Sequence, residues 1–259
     1  MTLKFKTRVI FSNRKTKYSV DFGVCQFMFK DGSGNYTSPT CPGCYSARLL
    51  NVYPTTRNKL EEVTSKPPNL DDFKSDIQRI KNTGLRFIRF YSLGDWNGPA
   101  DNLYIEAAAD IMPVEIFSKI LHLPINRNNI ISIAKHNNVR ISLSFNSKFD
   151  SNYIESVFSF LKSNNLLTRV QLNYTFTQGE EVKHIPYISV YHTTSKKKSE
   201  LAKVFGVNRV CCMKDEAGKV LAANITQNHT GSCVKCALCR LPAANKDSQI
   251  LTPNLMKLL

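Results

Sequence analysis

The sequence predicts an α/β protein whose strands form a mostly parallel sheet, either open or curled into a partial (β/α) barrel. Segments with the apolar pattern of strands alternate along the chain with segments that have the pattern of helices. The 259 residues are 42% hydrophobic and 10% aromatic, which is typical of a folded globular protein. In either form of sheet, ligands bind at the carboxyl ends of the strands, so the residues after each strand are candidates for a site.

The alternation begins in the first third of the chain. Residues 24–29, an apolar run before a glycine-rich turn, predict a short buried strand. Residues 44–53 predict a helix that ends before Pro54. Residues 71–81 predict a helix whose acidic first turn complements the helix dipole. Residues 85–91, with the sequence Leu-Arg-Phe-Ile-Arg-Phe-Tyr, have the clearest strand pattern in the chain.

The rest of the chain continues the alternation and then loses it. Residues 113–121 predict a helix because proline is common in the first turn, and residues 153–162 predict another. The remaining predicted elements are strands at 130–134, 139–145, 169–174, 188–191 and 210–213, and a helix at 199–205. Beyond residue 213 the periodicity is weak and three cysteines lie close together. We therefore predict a radical-SAM-like α/β domain over residues 1–213, on the resemblance given below, and a Cys-rich, metal-binding C-terminal extension over residues 214–259.

The chain contains eight cysteines, and their interpretation depends on the compartment. The longest apolar runs are far shorter than the ~20 residues that a membrane helix needs, and no apolar segment follows the N-terminal lysines. We therefore expect a cytoplasmic protein with no membrane partner. In this reducing compartment, closely spaced cysteines indicate metal or redox chemistry and not disulfides.

The strongest local motif is a run of three cysteines with two residues between neighbours, Cys233, Cys236 and Cys239. Three thiols in one tight loop can converge on one centre, which is typical of iron–sulfur clusters and of structural zinc. Cys211 and Cys212 lie at the end of a predicted strand, and one of them is a candidate for the fourth ligand. The alternative is that these cysteines are free and buried.

A second motif, Cys41-Pro-Gly-Cys44, opens a predicted helix. The helix N-terminus favours the anionic thiolate, so this pair suits a metal knuckle. A thioredoxin-like dithiol is one alternative, and a single zinc site that joins this pair to the C-terminal cysteines is another. Cys25 lies inside an apolar run, and we expect it to be a core residue.

A third feature is the segment Gly94-Asp95-Trp96, which directly follows the clearest strand. Glycine lets the backbone approach a ligand closely, and aspartate supplies a charged acceptor at the carboxyl end of a strand. The same dipeptide is also ordinary turn chemistry. Its position at the expected ligand edge makes Gly94 and Asp95 candidates for cofactor binding.

The net charge of +15 bears on the partner. A cytoplasmic domain this basic is expected to bind nucleic acid or another polyanion. The alternative is a solubility charge in a sequence rich in lysine, asparagine and serine.

These motifs resemble, in the same order, those of a phage family of uncharacterised proteins called gene product eighty-eight. The segment from Thr40 to Ala47, with Cys41 and Cys44, resembles that family's first cysteine motif. The segment that ends in Gly94-Asp95-Trp96 resembles its central glycine–aspartate motif. The Val210-Cys211-Cys212 segment, with the three-cysteine run beyond it, is similar to its C-terminal motif.

The family is in turn similar to radical SAM enzymes, and this resemblance implies a fold and a chemistry. Those enzymes hold a [4Fe–4S] cluster with three loop cysteines after the first strand, and they hold the amino group of S-adenosylmethionine (SAM) after the second. By this resemblance Cys41 and Cys44 would bind the first cluster and Gly94-Asp95 would contact the methionyl group of SAM. The loop here has two cysteines where those enzymes have three, and Cys25 is a candidate for the third, although it lies sixteen residues before Cys41.

The leading hypothesis is therefore a phage-type iron–sulfur protein in the host cytoplasm, acting as a SAM-dependent radical enzyme on a nucleic acid or nucleotide. Cys233, Cys236 and Cys239, with Cys211 or Cys212, would bind a second, auxiliary centre. The alternative is a basic nucleic-acid-binding or host-interaction protein whose metal, zinc or iron–sulfur, is purely structural.

Overall fold

The computed structural model of this chain describes residues 3–13, 16–41, 44–119, 127–176, 180–183, 185–188 and 190–193. It shows a mixed α/β protein with a mostly parallel sheet, which confirms the predicted fold class at this level. The chain divides into two compact units, Met1–Ile141 and Ser142–Leu259. The predicted helix at 199–205, the predicted strand at 210–213 and the extension at 214–259 lie outside the described residues.

Four short strands and then three helices come first, and strands and helices alternate from residue 88 to residue 176. The strands of the first unit are β1 (Ile10–Asn13), β2 (Lys17–Val20), β3 (Phe29–Lys30), β4 (Tyr36–Thr37), β5 (Ile88–Phe90) and β6 (Val114–Ser118). Its helices are α1 (Tyr45–Val52), α2 (Pro54–Ser65), α3 (Leu70–Lys81), α4 (Pro99–Ile111) and α5 (Arg127–Ala134). Strand β7 (Val139–Phe145) crosses the boundary, and α6 (Ser151–Ser163), β8 (Val170–Phe176) and β9 (Val190–Thr193) follow. In the described part of the chain, no helix is long and apolar enough to cross a membrane.

Strands β1, β2, β5 and β6 are neighbours in that order in the sheet of the first unit. Strand β1 is antiparallel to β2, whereas β2, β5 and β6 run parallel to one another. Because parallel strands share one direction, the residues that follow Val20, Phe90 and Ser118 meet at one edge of the sheet. Strands β3 and β4 form a separate two-stranded hairpin.

Helix α3 shows how the sequence pattern produces the fold. Phe73, Ile77 and Ile80 are fully buried, and their spacing of four and three residues places them on one face of the helix. The side chain of Asn69 caps the helix by accepting a hydrogen bond from the backbone N–H of Asp71 at 2.9 Å. The buried face therefore anchors α3 on the core while the cap fixes where the helix begins.

Most of the predicted elements in the described residues are confirmed. Predicted helices at 44–53, 71–81 and 153–162 correspond to α1, α3 and α6, and predicted strands at 85–91, 139–145, 169–174 and 188–191 correspond to β5, β7, β8 and β9. Strands β1, β2 and β4 and helices α2 and α4 were not predicted. Helix α2 buries only Leu60 and Val63, so its sequence carries little apolar periodicity.

Three predictions of local structure are wrong. Residues 24–28 form a loop and not a strand, and β3 begins only at Phe29. Residues 113–121 contain strand β6 instead of a helix: Pro113 precedes the strand, and its carbonyl accepts a hydrogen bond from Ile88 N–H at 2.9 Å. Residues 130–134 belong to helix α5, because Ile130, Ile133 and Ala134 are buried at helical spacing.

Candidate functional site

The candidate site lies in the first unit, at the carboxyl edge of the parallel strands. Asp21 follows β2, the segment from Ser92 to Asp95 follows β5, and Lys119 follows β6. This is the edge at which parallel sheets bind their ligands. The sequence-based placement of Gly94 and Asp95 after a parallel strand therefore agrees with the structure.

The loop after β5 begins at a backbone turn that is rare outside glycine. Tyr91 has a φ of +62°, and its N–H donates to the carbonyl of Val20 in the neighbouring strand at 2.8 Å. Its hydroxyl donates to Asp101 Oδ2 at 2.7 Å, and burial raises the pKa of Tyr91 well above its usual value. Tyr91 is thus held at its backbone N–H and at its hydroxyl. These two hydrogen bonds maintain the unusual turn, which directs the following residues across the sheet edge.

Asp21 fixes the course of this loop. Its Oδ1 accepts hydrogen bonds from three successive backbone N–H groups, those of Ser92 at 2.8 Å, Leu93 at 2.7 Å and Gly94 at 2.8 Å. Its Oδ2 accepts from the hydroxyl of Ser19 at 3.2 Å. Burial raises the pKa of Asp21, and the three N–H groups oppose that rise because they stabilise the carboxylate.

Position 94 has no room for a side chain, so it requires glycine. A Cβ atom at this position would lie 2.4 Å from the carbonyl oxygen of Gly23, closer than real Cβ contacts. The loops that follow β2 and β5 therefore touch backbone to backbone at Gly94. Glycine at this position therefore has a structural reason, which is the close approach of two chain segments. The cofactor role proposed from the sequence is a second, separate reason.

Asp95 connects β5 to β6. Its Oδ1 accepts from the Trp96 N–H at 2.7 Å and from the hydroxyl of Ser118, and its Oδ2 accepts from the Lys119 N–H at 3.1 Å. Only 6% of the residue is exposed. Burial raises the pKa of Asp95, whereas the Ser118 hydroxyl and the charge of Lys119 lower it. The carboxylate is therefore a buried acceptor held rigidly at the ligand edge.

Trp96 ties the cysteine-bearing loop to this edge. The indole is fully buried, and its Nε1–H donates to the carbonyl of Gly98 and to the side chain of Asn102, both at 3.1 Å. Its own carbonyl accepts from the side chain of Gln26 at 3.1 Å. Gln26 is the neighbour of Cys25, so this bond holds the Cys25 loop beside Asp95.

Three cysteines, Cys25, Cys41 and Cys44, are half-buried free thiols in this region. Cys44 caps helix α1: its sulfur accepts from the Ala47 N–H at 3.5 Å and lies 4.0 Å from the sulfur of Met28. This confirms that Cys44 stands at the opening of a helix. Cys25 and Cys44 both pack against one apolar cluster, formed by Phe11, Met28, Tyr36, Ala47, Leu50, Leu60 and Leu93.

The thiols and Asp95 are electrostatic neighbours. Burial raises the pKa of Cys25, and the negative charges of Asp95, Cys41 and Cys44 raise it further. Burial also raises the pKa of Cys41; the charge of Lys119 opposes this rise, while Cys44 and Asp95 add to it. These directions agree with the contacts that place Cys25 and Cys44 on one apolar cluster and Gln26 against Trp96. We call Cys25, Cys41, Cys44, Asp95 and Lys119 the cysteine neighbourhood.

This neighbourhood fits a metal centre in donor chemistry. Thiolates are the ligands of iron–sulfur clusters and of structural zinc, and three thiols are present. The raised pKa values keep the thiols of Cys25 and Cys41 protonated at neutral pH, so a bound metal would have to displace their protons. Among the described residues, no group of three or more His, Cys, Asp or Glu side chains stands in an arrangement that could already hold a metal ion.

The other predicted ligands, Cys211, Cys212, Cys233, Cys236 and Cys239, lie outside the described residues, so the second centre stays a prediction. Sequence reasoning expected Cys25 to be a core residue, and it packs against the apolar cluster; the family resemblance also made it a candidate for the third ligand. Sequence reasoning did not identify Asp21, Ser118 or Lys119. Asp21 could have been identified as an acidic residue that directly follows a strand, but the strand, β2, was not predicted.

Comparisons of this chain with protein-family models, with curated proteins and with solved structures return no match.

Proposed function

We propose that this protein binds an iron–sulfur cluster through Cys25, Cys41 and Cys44. The observation that carries the proposal is that Cys25 and Cys44 pack against one apolar cluster, while Gln26, the neighbour of Cys25, is hydrogen-bonded to Trp96, the neighbour of Asp95, at the carboxyl edge of the parallel strands. The sequence interpretation had two thiols in this loop, and Cys25 supplies a third from a different loop. A second centre, bound by Cys233, Cys236 and Cys239 with Cys211 or Cys212, is part of the same proposal.

The finer proposal is a radical-SAM-like partial barrel that binds SAM and acts on a nucleic acid or nucleotide. A [4Fe–4S] cluster with three protein ligands keeps one iron open, and that iron would supply the binding site for the amino acid end of SAM. Asp95 would accept a charge-assisted hydrogen bond from the ammonium of SAM. Within the described residues its Oδ2 accepts one hydrogen bond, from Lys119 N–H, which leaves a lone pair for this contact.

Each residue of the edge has a defined task in this proposal. Asp21 holds the loop after β5, so that Asp95 keeps its position when a ligand enters. Burial of Asp95 excludes water and strengthens any ion pair that it forms with an ammonium. Lys119 supplies a positive charge that stabilises the thiolate of Cys41. The reducing cytoplasm expected from the sequence would keep these cysteines as free thiols that can bind a metal.

The test is anaerobic purification followed by iron, acid-labile sulfide and zinc analysis of wild type and of Cys25→Ser, Cys41→Ser and Cys44→Ser. We expect each variant to lose iron and sulfide relative to wild type. Met28→Leu is the matched control, because it removes the sulfur that lies 4.0 Å from Cys44 without removing a thiol. Full iron and sulfide in all three serine variants would disprove this site.

A second candidate function is a basic nucleic-acid-binding or host-interaction protein with a purely structural metal. The net charge of +15 favours it. Stoichiometric zinc without sulfide would select this function over the iron–sulfur protein. Isothermal titration of the reconstituted protein with SAM, with Asp95→Ala as the comparison, tests the enzyme form: absence of SAM binding in wild type would eliminate it.

A further inference from the structure

Helix α1 has one face that the described residues leave exposed. Ala47 and Leu50 are buried on its inner face. Tyr45, Arg48 and Val52 are exposed, and their spacing of three and four residues places them in one stripe on the opposite face. Tyr45 is 67% exposed and Val52 is 58% exposed, and their position in one stripe distinguishes them from singly exposed apolar side chains.

The exposed aromatic surface continues past the end of the helix. Tyr53, the C-terminal capping residue of α1, is 58% exposed. We call Tyr45, Arg48, Val52 and Tyr53 the α1 face. Two exposed tyrosine rings with a cation between them in sequence are the elements of a stacking surface.

The α1 face stands on a rigid support. The side chain of Asn51 accepts from the Tyr36 N–H at 2.7 Å and donates to the Tyr36 carbonyl at 2.9 Å, so the β3–β4 hairpin is fixed to the helix. The hydroxyl of Tyr36 donates to Glu61 on α2 at 2.8 Å. A platform held in this way loses little conformational freedom when a ligand binds to it.

The charge around the α1 face is positive. Residues 38–60 contain three basic residues and no acidic residue; Arg48 is exposed on the face itself, Arg57 is partly exposed on α2, and the Lys59 ammonium donates to the Ile10 carbonyl at 2.7 Å. The next acidic residue along the chain, Glu61, already pairs with Lys30 at 3.0 Å. Within a chain of net charge +15, this segment therefore attracts an anionic partner that also has flat apolar surfaces.

We propose that the α1 face binds single-stranded nucleic acid, with Tyr45 and Tyr53 stacking on bases and Arg48 contacting phosphate. Unpaired bases expose the ring faces that tyrosine stacks on, whereas a duplex buries them in its own stack. Tyr45 directly follows Cys44, so a nucleic-acid strand bound to this face would reach the cysteine neighbourhood. Only this last step, that the bound strand is the substrate of the site, rests on the proposed function.

The test is fluorescence anisotropy of the full chain with labelled single-stranded DNA and RNA of about 12 nucleotides, within the site sizes of ~4–16 nucleotides that single-strand binders cover. The same sequences as duplexes provide the comparison. Wild type should bind the single strands at low salt more tightly than the duplexes. Its affinity should fall with salt by roughly 0.7 log units per phosphate contact per log unit of salt.

Variants assign the binding to the α1 face. Tyr45→Ala and Tyr53→Ala should each raise Kd about fivefold or more, the low end of the effect of losing one stacked base. Tyr45→Phe keeps the ring and should bind as wild type does. Lys74→Ala and Leu103→Ala remove an exposed cation and an exposed aliphatic side chain from other helices, and they should leave Kd within about twofold of wild type.

Three results would overturn the inference. They are no binding of single strands at low salt, tighter binding of duplexes than of single strands, and wild-type Kd in both tyrosine-to-alanine variants. If another segment of the chain or a second copy of the protein occupies this face, the single strands will not bind at low salt. Repeating the titration with Cys41→Ser separates the two proposals: loss of iron with unchanged nucleic-acid affinity leaves the α1 face standing, whatever the metal analysis gives.

Discussion

The carboxylate of Asp21 holds the backbone N–H of Gly94 at 2.8 Å, and the same oxygen binds the two preceding N–H groups. A buried aspartate from the end of one strand thus determines the path of the loop that leaves the next strand. Asp95, the acceptor of the proposed site, is the residue immediately after this anchored segment. The position of Asp95 therefore depends on Asp21 as well as on its own contacts.

Asp21→Ala should destabilise the fold strongly. It leaves one buried and two partly buried N–H groups without their acceptor, and each lost hydrogen bond to a charged group costs about 1.5–3 kcal/mol. We expect the free energy of unfolding to fall by about 3 kcal/mol or more in urea denaturation. Asp71→Ala, at an exposed site in the first turn of α3, is the control and should cost about 1 kcal/mol or less. Equal losses in the two variants would contradict the role of Asp21.

Gly94→Ala should also destabilise the protein, for a steric reason. The added methyl group would meet the Gly23 carbonyl oxygen at 2.4 Å, so one backbone segment must move, at a cost of roughly 1–3 kcal/mol or more. Gly32→Ala is a matched control because a Cβ there meets nothing within 4 Å. Thermal unfolding of both variants checks this, and an unchanged melting temperature for Gly94→Ala would show that the two loops do not touch.

The site was partly predictable from sequence because its residues follow recognisable elements. Gly94 and Asp95 come after the clearest strand pattern, and Cys44 opens a helix that ends before a proline. Both signals are local, so a single segment suffices to detect them. The expectation that ligand residues follow parallel strands supplied the rest.

What the sequence did not indicate depends on contacts between distant segments. Asp21 follows a four-residue strand that is too short to show a period, and its three partners lie 71–73 residues away. Ser118 and Lys119 were hidden because a proline at residue 113 predicted a helix where β6 forms. Cys25 lies in an apolar run and packs against an apolar cluster, but the hydrogen bond from Gln26 to Trp96, which brings the Cys25 loop beside Asp95, joins residues 70 positions apart.

Asp101 should contribute more stability as the pH is lowered from neutrality towards 3.8, the ordinary pKa of an aspartate. Burial raises the pKa of Asp101, which accepts from the Tyr91 hydroxyl and the Asn97 N–H. A folded-state pKa above the unfolded one means that the native state binds the proton more tightly. Stability from this group is therefore gained as pH falls through the raised pKa.

Asp101→Asn removes that titration while it preserves size and one acceptor. We expect the free energy of unfolding of this variant to change less between neutral pH and pH 3.8 than that of wild type, in urea denaturation at matched ionic strength. Glu106→Gln is the comparison, since Glu106 is exposed on the same helix. A variant whose pH dependence equals that of wild type would remove Asp101 from the explanation.

Metal removal is the last prediction, and it connects stability to the proposed site. A metal held by thiolates contributes folding free energy, on the order of 10 kcal/mol for structural zinc, because the unfolded chain has no preformed site. Under anaerobic conditions a strong chelator should therefore lower the melting temperature of wild type. Cys41→Ser should start from the lowered value and respond less to the chelator, since part of the site is already lost. Met28→Leu should respond as wild type does, because it changes packing next to Cys44 but no ligand. If the chelator extracts iron from wild type while the melting temperatures of wild type and Cys41→Ser stay equal, the metal does not tie Cys41 to the fold.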